Sequence, residues 1–286
     1  MGLNKSAPIR VEPYTRCTSG DIAEFVLLLP SREYVGTLID RLEEFEVETK
    51  IEGKGPYLTI TGKYKGELPI TIASAGPGGP ALAIAIEEYT HLGARVFIKV
   101  GFATALSTRV GIGDIVLAAT AIRGEGTSQH YLPIGYPAYA NISLLKYAED
   151  AIRAYNAVKP KGQEIGYFIG TILSTDVLYN VEHLLRTWSS VDVLAVDMET
   201  SVLYILSSLR KTKALSVLVI DSNVVKGIPP GELSADYRLA EMAQRVTETI
   251  IEVSKIMLDV MMRLRTEVVG EKELKRPATS GEKGSR

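Results

Sequence analysis

The sequence predicts an α/β protein folded around a largely buried sheet, and three observations carry that prediction. Short apolar runs rich in Val and Ile alternate with longer segments of helical periodicity. The 286 residues are 46% hydrophobic, enough to bury a substantial core. No internal repeat or linker divides the body, which makes one domain over residues 1–270 the expectation.

The elements follow in chain order. Phe25 to Leu29 is an uninterrupted apolar run and Leu68 to Ala73 is nearly so, and both read as buried strands. Pro80 to Leu92 reads as a helix, with Pro80 placed as its first residue. Val96 to Val100 and Asp114 to Ala121 are further strands, and Ile142 to Ala157 is a helix. Glu164 to Leu173 and Val191 to Val196 are strands, followed by a helix over Thr200 to Ser208. Leu215 to Ile220 closes the sheet. From Leu233 to about Arg265, Leu239, Met242, Val246, Ile250, Val253, Met257 and Met261 recur at helical spacing, as a core-facing stripe does. Residues 271–286 are charged and apolar-poor, so a disordered tail is expected there.

Composition excludes several classes. Thirty-two basic against 34 acidic residues leave a formal charge of -2, which suggests neither nucleic acid nor an anionic membrane as partner. Cys17 is the single cysteine, so no intrachain disulfide can form. His91, His130 and His183 show no ligand spacing, and no metal is expected. Phe25 to Leu29 is too short for a signal-peptide core, and no span reaches the roughly 18 apolar residues of a membrane helix. A cytoplasmic protein is the expectation.

The most informative segment is AVDMETSVLYILSS, Ala195 to Ser208, where Asp197, Met198 and Glu199 stand at the start of an apolar helix. A carboxylate there suits the positive end of the helix dipole, so N-capping is one reading of both acids. The other is ligand binding, because a carboxylate in apolar surroundings needs a polar partner. Its two acceptor oxygens suit a cis-diol such as the 2'- and 3'-hydroxyls of ribose. A second segment, SAGPGGPALAIAIEEYTHLG, puts three glycines between a strand and a helix N-terminus. That arrangement is either an anion site or a plain tight turn, and no Walker-type lysine follows.

A third segment, VFIKVGFATALSTRVGIGDIVLAATAIRGEGTSQHYLP, Val96 to Pro133, resembles the uridine phosphorylases and the related purine and methylthioadenosine phosphorylases. Lys99, Gly101, Thr104, Gly113 and Asp114 match the outline of that family, and Arg123, Gly126, Ser128, His130 and Pro133 match its uridine branch without a gap. GPGGPA resembles the family's GIGGPS turn, and VDMETS resembles its EMES or EMEA signature. The likeness runs through STDVLYNVEHLLRTWSS and covers roughly residues 20–255.

The resemblance implies a three-layer phosphorylase/hydrolase-like fold, a mixed central sheet flanked by helices. It implies cleavage of a nucleoside's N-glycosidic bond by inorganic phosphate as co-substrate, with no other cofactor, in a homo-oligomer such as a trimer of dimers. Glu199 and Met198 then take the ribose, and Tyr14 stands about where many members carry a histidine that reaches the ribose across a subunit interface. Phosphate falls to Ser31, Arg32, Lys54, Lys99 and Gly101. Here the chain departs from the family: LLLPSREY replaces a GDPxR-type turn, Lys99 replaces an arginine, and Phe102 replaces a phosphate- and ribose-binding threonine. The base falls to Phe102, Ala103, Thr104, Leu178, Tyr179, Glu182 and Asp197, without the glutamine and arginine that bind uracil. Arg123 and His130 are expected at the rim. Asp221 and Ser222 reverse the serine-aspartate order of the purine branches. Either Asp221 is the general acid shifted by one position, or Ser222 occupies the site, or Asp221 caps a loop. A hydrolase of the same fold and a catalytically silent nucleoside binder are the alternatives.

Overall fold

The computed structural model describes residues 10–179, 187–235 and 239–274. Its strands are β1 (Phe25–Leu29), β2 (Phe45–Glu52), β3 (Leu58–Tyr64), β4 (Leu68–Ser74), β5 (Val96–Ala105), β6 (Ile115–Gly124), β7 (Ala138–Tyr139), β8 (Tyr167–Thr175), β9 (Ala195–Asp197) and β10 (Lys213–Asn223). Its helices are α1 (Arg32–Asp40), α2 (Gly79–His91), α3 (Ile142–Ala157), α4 (Thr200–Arg210), α5 (Glu232–Ala235) and α6 (Ala240–Leu274).

All ten strands join one mixed sheet. One half is open: β2 and β3 pair antiparallel, β3 and β4 antiparallel, and β4, β1 and β5 parallel. The other half closes on itself. From β5 the pairing passes to β10, β6, β8 and β9 and returns to β5. Two of those five pairings are antiparallel, so the strand directions are consistent around the ring. Helices α1 and α3 both pack with α6, and α2 packs with α4.

Sequence chemistry explains the junctions. Ser31 caps α1 and Asn141 caps α3, each side chain accepting a backbone N–H one turn into its helix. Helix α4 stops at Lys211, whose φ of 56° is left-handed. The two largest fully buried side chains, Tyr89 and Tyr204, both have their hydroxyls satisfied, by Thr59 and by the carbonyl of Ala118. The exposed outer strand β2 carries Glu46, Glu48, Lys50 and Glu52, charges that discourage edge-to-edge pairing.

The expected strands and helices are present, with differences in number and at their ends. Helix α1 and strands β2, β3 and β7 occur where no element was read, and β8 begins at Tyr167 rather than Glu164. Strand β9 begins at Ala195 rather than Val191, because residues 191–192 form a turn ahead of it. Asp197 therefore ends a strand, and only Glu199 stands at the helix start. Of the expected C-terminal helix, α5 covers Glu232–Ala235 and α6 runs from Ala240 to Leu274, past the expected boundary at 270. The rest of the expected tail, residues 275–286, lies outside the described residues. Among the described residues no helix is long and apolar enough to cross a membrane.

Candidate active site

A cavity of about 350 Å³ opens where the ends of β1, β4, β5, β8, β9 and β10 converge. Its walls are mostly apolar, from Leu28 and Leu29 on β1 to Val177 and Leu178 after β8. The lining residues that bear charge are Lys99, Asp197, Glu199 and Asp221, so among the described residues the cavity has one cation.

Lys99 sits in mid-strand on β5 and stands between two carboxylates. Its Nζ lies 2.9 Å from Asp197 Oδ2 and 3.0 Å from Glu199 Oε2. Burial alone would pull the ammonium's pKa down, but the two carboxylates reverse this and hold it above its ordinary value. Lys99 is therefore charged wherever the protein is folded near neutral pH. An ammonium has three N–H donors, and these two contacts leave one for a ligand.

The two acids divide the roles that the sequence left open. The Asp197 side chain is fully buried. Its Oδ1 accepts from the Ser174 hydroxyl at 2.6 Å, and its Oδ2 accepts from Thr200 N–H at 3.0 Å and from the Thr200 hydroxyl. With Lys99 added, that carboxylate is saturated; it caps α4 and anchors the lysine. Glu199 is the N-cap residue by position, yet its side chain makes no cap bond. It crosses instead to the glycine-rich turn, where Oε1 accepts the N–H of Gly78 at 2.7 Å. Gly76 and Gly78 have φ of 74° and 89°, a backbone that only glycine adopts without strain. The glycine-rich turn, read as either an anion site or a plain turn, thus presents its Gly78 N–H to a carboxylate of the protein.

At another wall a β-bulge interrupts the pairing of β10 with β5. Ile220 pairs with Ala103 and Ser222 with Thr104, leaving Asp221 unpaired between them. The extra residue re-aims the Asp221 side chain into the cavity. Burial pushes its carboxyl up from 3.8 to about 6, against smaller opposing effects from the Ser222 hydroxyl and its own backbone N–H. Ser222, fully buried behind it, donates to Asp221 Oδ1 at 2.8 Å and lies 2.7 Å from the Thr104 hydroxyl. Nearby, Phe102 packs edge-to-face on Tyr34 of α1, with ring centroids 5.2 Å apart.

The turn after β6 joins three cavity segments. Glu125 is 1% exposed and accepts from Ser128 N–H, from the Ser128 hydroxyl and, at 2.8 Å, from the hydroxyl of Ser201 in the first turn of α4. Gly126 N–H donates to Asp176, next to the lining residues Thr175 and Val177. Thr127 packs so tightly on Gly79 that a Cβ there would stand 2.8 Å from its hydroxyl oxygen.

The family model of the phosphorylase superfamily matches residues 24–259, from β1 into α6. The chain belongs to the phosphorylase superfamily. It is 34% identical over 223 residues to a uridine phosphorylase of Thermococcus kodakarensis, covering 73% of this chain and 76% of that one. It is 28% identical to a guanosine phosphorylase of Halorubrum lacusprofundi over 85% of this chain and 96% of that relative. A crystal structure of a uridine phosphorylase from Vibrio fischeri superposes with a TM-score of 0.76 at 26% identity, covering 88% of this chain and 96% of that one.

Of the residues that the superfamily resemblance nominated, Lys99, Gly101, Phe102, Ala103, Thr104, Leu178, Tyr179, Asp197, Met198, Glu199 and Asp221 line the cavity. Others do not. Ser31 is spent on capping α1, and Arg32 turns outward to Glu52 at 2.7 Å. Lys54 and Tyr14 lie on the surface, with the ammonium 5.5 Å from the tyrosine ring. Arg123 is not at the rim: it is buried and donates to Ser128 and to the carbonyls of Leu132, Pro133 and Tyr136, which makes it the organiser of that loop. His130 is exposed and outside the cavity. Ser222 stands behind Asp221 rather than in its place. Glu182 lies outside the described residues. The sequence reading had Gly78 in its glycine-rich turn but missed Ser174, Thr200 and Glu125, which help hold the charged residues in place; S/T-rich spacing around the acids was the available signal. Among the described residues no group of three or more His, Cys, Asp or Glu could hold a metal ion.

Proposed function

We propose that the chain is a nucleoside phosphorylase, a pentosyltransferase that transfers ribose from a base to phosphate. The observation that carries this is Glu199. Its two oxygens are held by the Gly78 N–H and by Lys99, and each retains lone-pair capacity toward the cavity for one hydroxyl of a ribose diol. Met198, which also lines the cavity, supplies an apolar surface for the sugar.

Cleavage passes through an oxocarbenium-like state in which positive charge grows on the ribose while the base leaves with the bond's electrons. Lys99 presents its remaining N–H to the incoming phosphate, and the Asp197–Glu199 side of the cavity is negative, which favours the developing sugar cation. Asp221, with its carboxyl shifted to about 6, is partly protonated near neutral pH and donates to the departing base. A carboxyl donor of this kind suits a purine ring nitrogen, so purine nucleosides are the preferred class. Inorganic phosphate is the co-substrate and no further cofactor enters. The reading carries with it a cytoplasmic homo-oligomer, in which Tyr14 and Lys54 have their opportunity at a neighbouring copy's cavity.

The purified chain, supplied with inosine, guanosine, adenosine, methylthioadenosine or uridine, is expected to release free base and ribose 1-phosphate only when phosphate is present. Equal release of base without phosphate would overturn phosphorolysis in favour of hydrolysis.

A further inference from the structure

The hydroxyls of Ser222 and Thr104 form a chain that ends on Asp221. Ser222 has a single hydroxyl proton, which it donates to Asp221 Oδ1 at 2.8 Å when the carboxyl is ionised. The 2.7 Å contact with Thr104 is then donated by Thr104. Both hydroxyls are buried, Thr104 at 3% exposure and Ser222 at 0%, and strand pairing fixes them, since Ser222 lies opposite Thr104 across the bulge. A Thr104 to Ser222 to Asp221 chain is thus built into the frame.

We infer that Ser222 and Thr104 are positioning residues for the reaction, assigning the transferable proton of Asp221 to the carboxyl oxygen that faces the cavity and stabilising the carboxylate left after transfer. The inference rests on the reading of Asp221 as the acid. With Oδ1 occupied as an acceptor of the Ser222 hydroxyl, the acid proton resides on Oδ2. On transfer the Oδ2–H bond breaks and an N–H bond forms on the base, which has taken the electron pair of the broken C–N bond. The new carboxylate charge is met by the donor already aimed at Oδ1, so no side chain has to turn.

This arrangement tunes the acid in one direction. Burial raises the carboxyl and the Ser222 donor opposes it, so losing that donor makes Asp221 a weaker acid that keeps its proton to higher pH. Among the described residues, the other charged or titratable groups facing the cavity are Lys99 from β5, Asp197 from β9, Glu199 ahead of α4 and Tyr179 after β8, with Tyr34 from α1 close enough to feel the Asp221 charge. Lys99 and Tyr34 are both shifted upward, away from the window in which Asp221 titrates.

The test is the pH profile of kcat/KM for Ser222→Ala, Ser222→Thr, Thr104→Val and Asp221→Asn beside the parent chain, all at one phosphate concentration because phosphate titrates in the same window. In Ser222→Ala the alkaline limb is expected to move up by roughly one pH unit, the size of one hydrogen bond to a charged group, while the rate at the optimum falls several-fold. Ser222→Thr restores the parent limb, Thr104→Val moves it by less in the same direction, and Asp221→Asn abolishes it. If Asp221→Asn removes the limb while Ser222→Ala and Thr104→Val leave it unmoved, the hydroxyl chain is refuted and the acid stands. If Asp221→Asn keeps the parent activity and limb, the acid itself is refuted. Should Ser222→Ala fail to fold, Thr104→Val and Ser222→Thr decide the matter by the same limb.

Discussion

Replacing Glu199 with glutamine keeps the shape of the side chain and removes one charge, at a position where the structure allows the loss to be counted. The carboxylate accepts from Gly78 N–H through Oε1 and from Lys99 through Oε2. A glutamine has one acceptor oxygen and an amide that donates, so one of those two partners must face another donor. Each ribose hydroxyl held by the carboxylate contributes roughly 1.5–3 kcal/mol as a hydrogen bond to a charged group. Loss or weakening of two predicts a fall in kcat/KM of roughly 10²–10⁴-fold, using about 1.4 kcal/mol for each tenfold change. The assay is phosphorolysis of a ribonucleoside and of its 2'-deoxy counterpart by parent and Glu199→Gln. Because the deoxy substrate lacks one of the two hydroxyls, the substitution must harm it less, by about tenfold or more. Equal losses on the two substrates would show that Glu199 does not hold the diol and would remove the main support for the proposed chemistry.

Four further outcomes follow from the same geometry. Asp197→Ala, which strands the Ser174 hydroxyl, the Thr200 N–H and half the bracket around Lys99, should lower unfolding free energy by about 3–5 kcal/mol in urea titrations. Lys99→Met should cost clearly less, because Asp197 keeps its other donors. Asp221 has its folded pKa raised from 3.8 to about 6, so the folded state binds the proton more tightly and stability falls as pH rises through that interval. Asp221→Asn should then stabilise at pH 7 by at most about 3 kcal/mol and by little below pH 4, as thermal melts across pH would read. Glu125→Ala, by orphaning the Ser128 and Ser201 hydroxyls, should cost about 2–4 kcal/mol and raise KM for nucleoside, since the first turn of α4 carries Glu199.

Much of this was legible before any coordinates, and the failures have physical causes. Strands buried on both faces announce themselves as continuous apolar runs, which is why β1 and the core of β5 and β10 could be read. Strand β3 buries Thr59 and Thr61, whose hydroxyls pair with Tyr89 and Thr71, and β2 is largely exposed; neither offers such a run. Helix α1 buries only Val35 and Leu38, too little for a periodic signal. At the site, position along the chain was readable but side-chain direction was not. Arg32, Arg123 and His130 occupy plausible places in the sequence and point elsewhere, and Ser31 is consumed by a cap. The choice between Asp221 and Ser222 depended on a bulge, a one-residue irregularity that no propensity encodes. The glycine-rich turn left an anion site and a plain turn open, and its Gly78 N–H meets a carboxylate 121 residues away that no local pattern announces.

The closed circuit of β5, β10, β6, β8 and β9 separates the protein into a part that can fray and a part that cannot. An open sheet loses strands one at a time from its margins, as β2 can here. A ring has no margin, so freeing any of its strands breaks pairing on two sides at once. Amide hydrogens along β5 and β10 should therefore exchange with solvent only when the whole molecule opens, while those of β2 exchange through local fraying. Since Lys99 and Asp221 both stand on ring strands, their spacing is inherited from the most persistent part of the molecule. Variation in what the cavity accepts is left to the segments hung from the ring, which can change without loosening the residues that act.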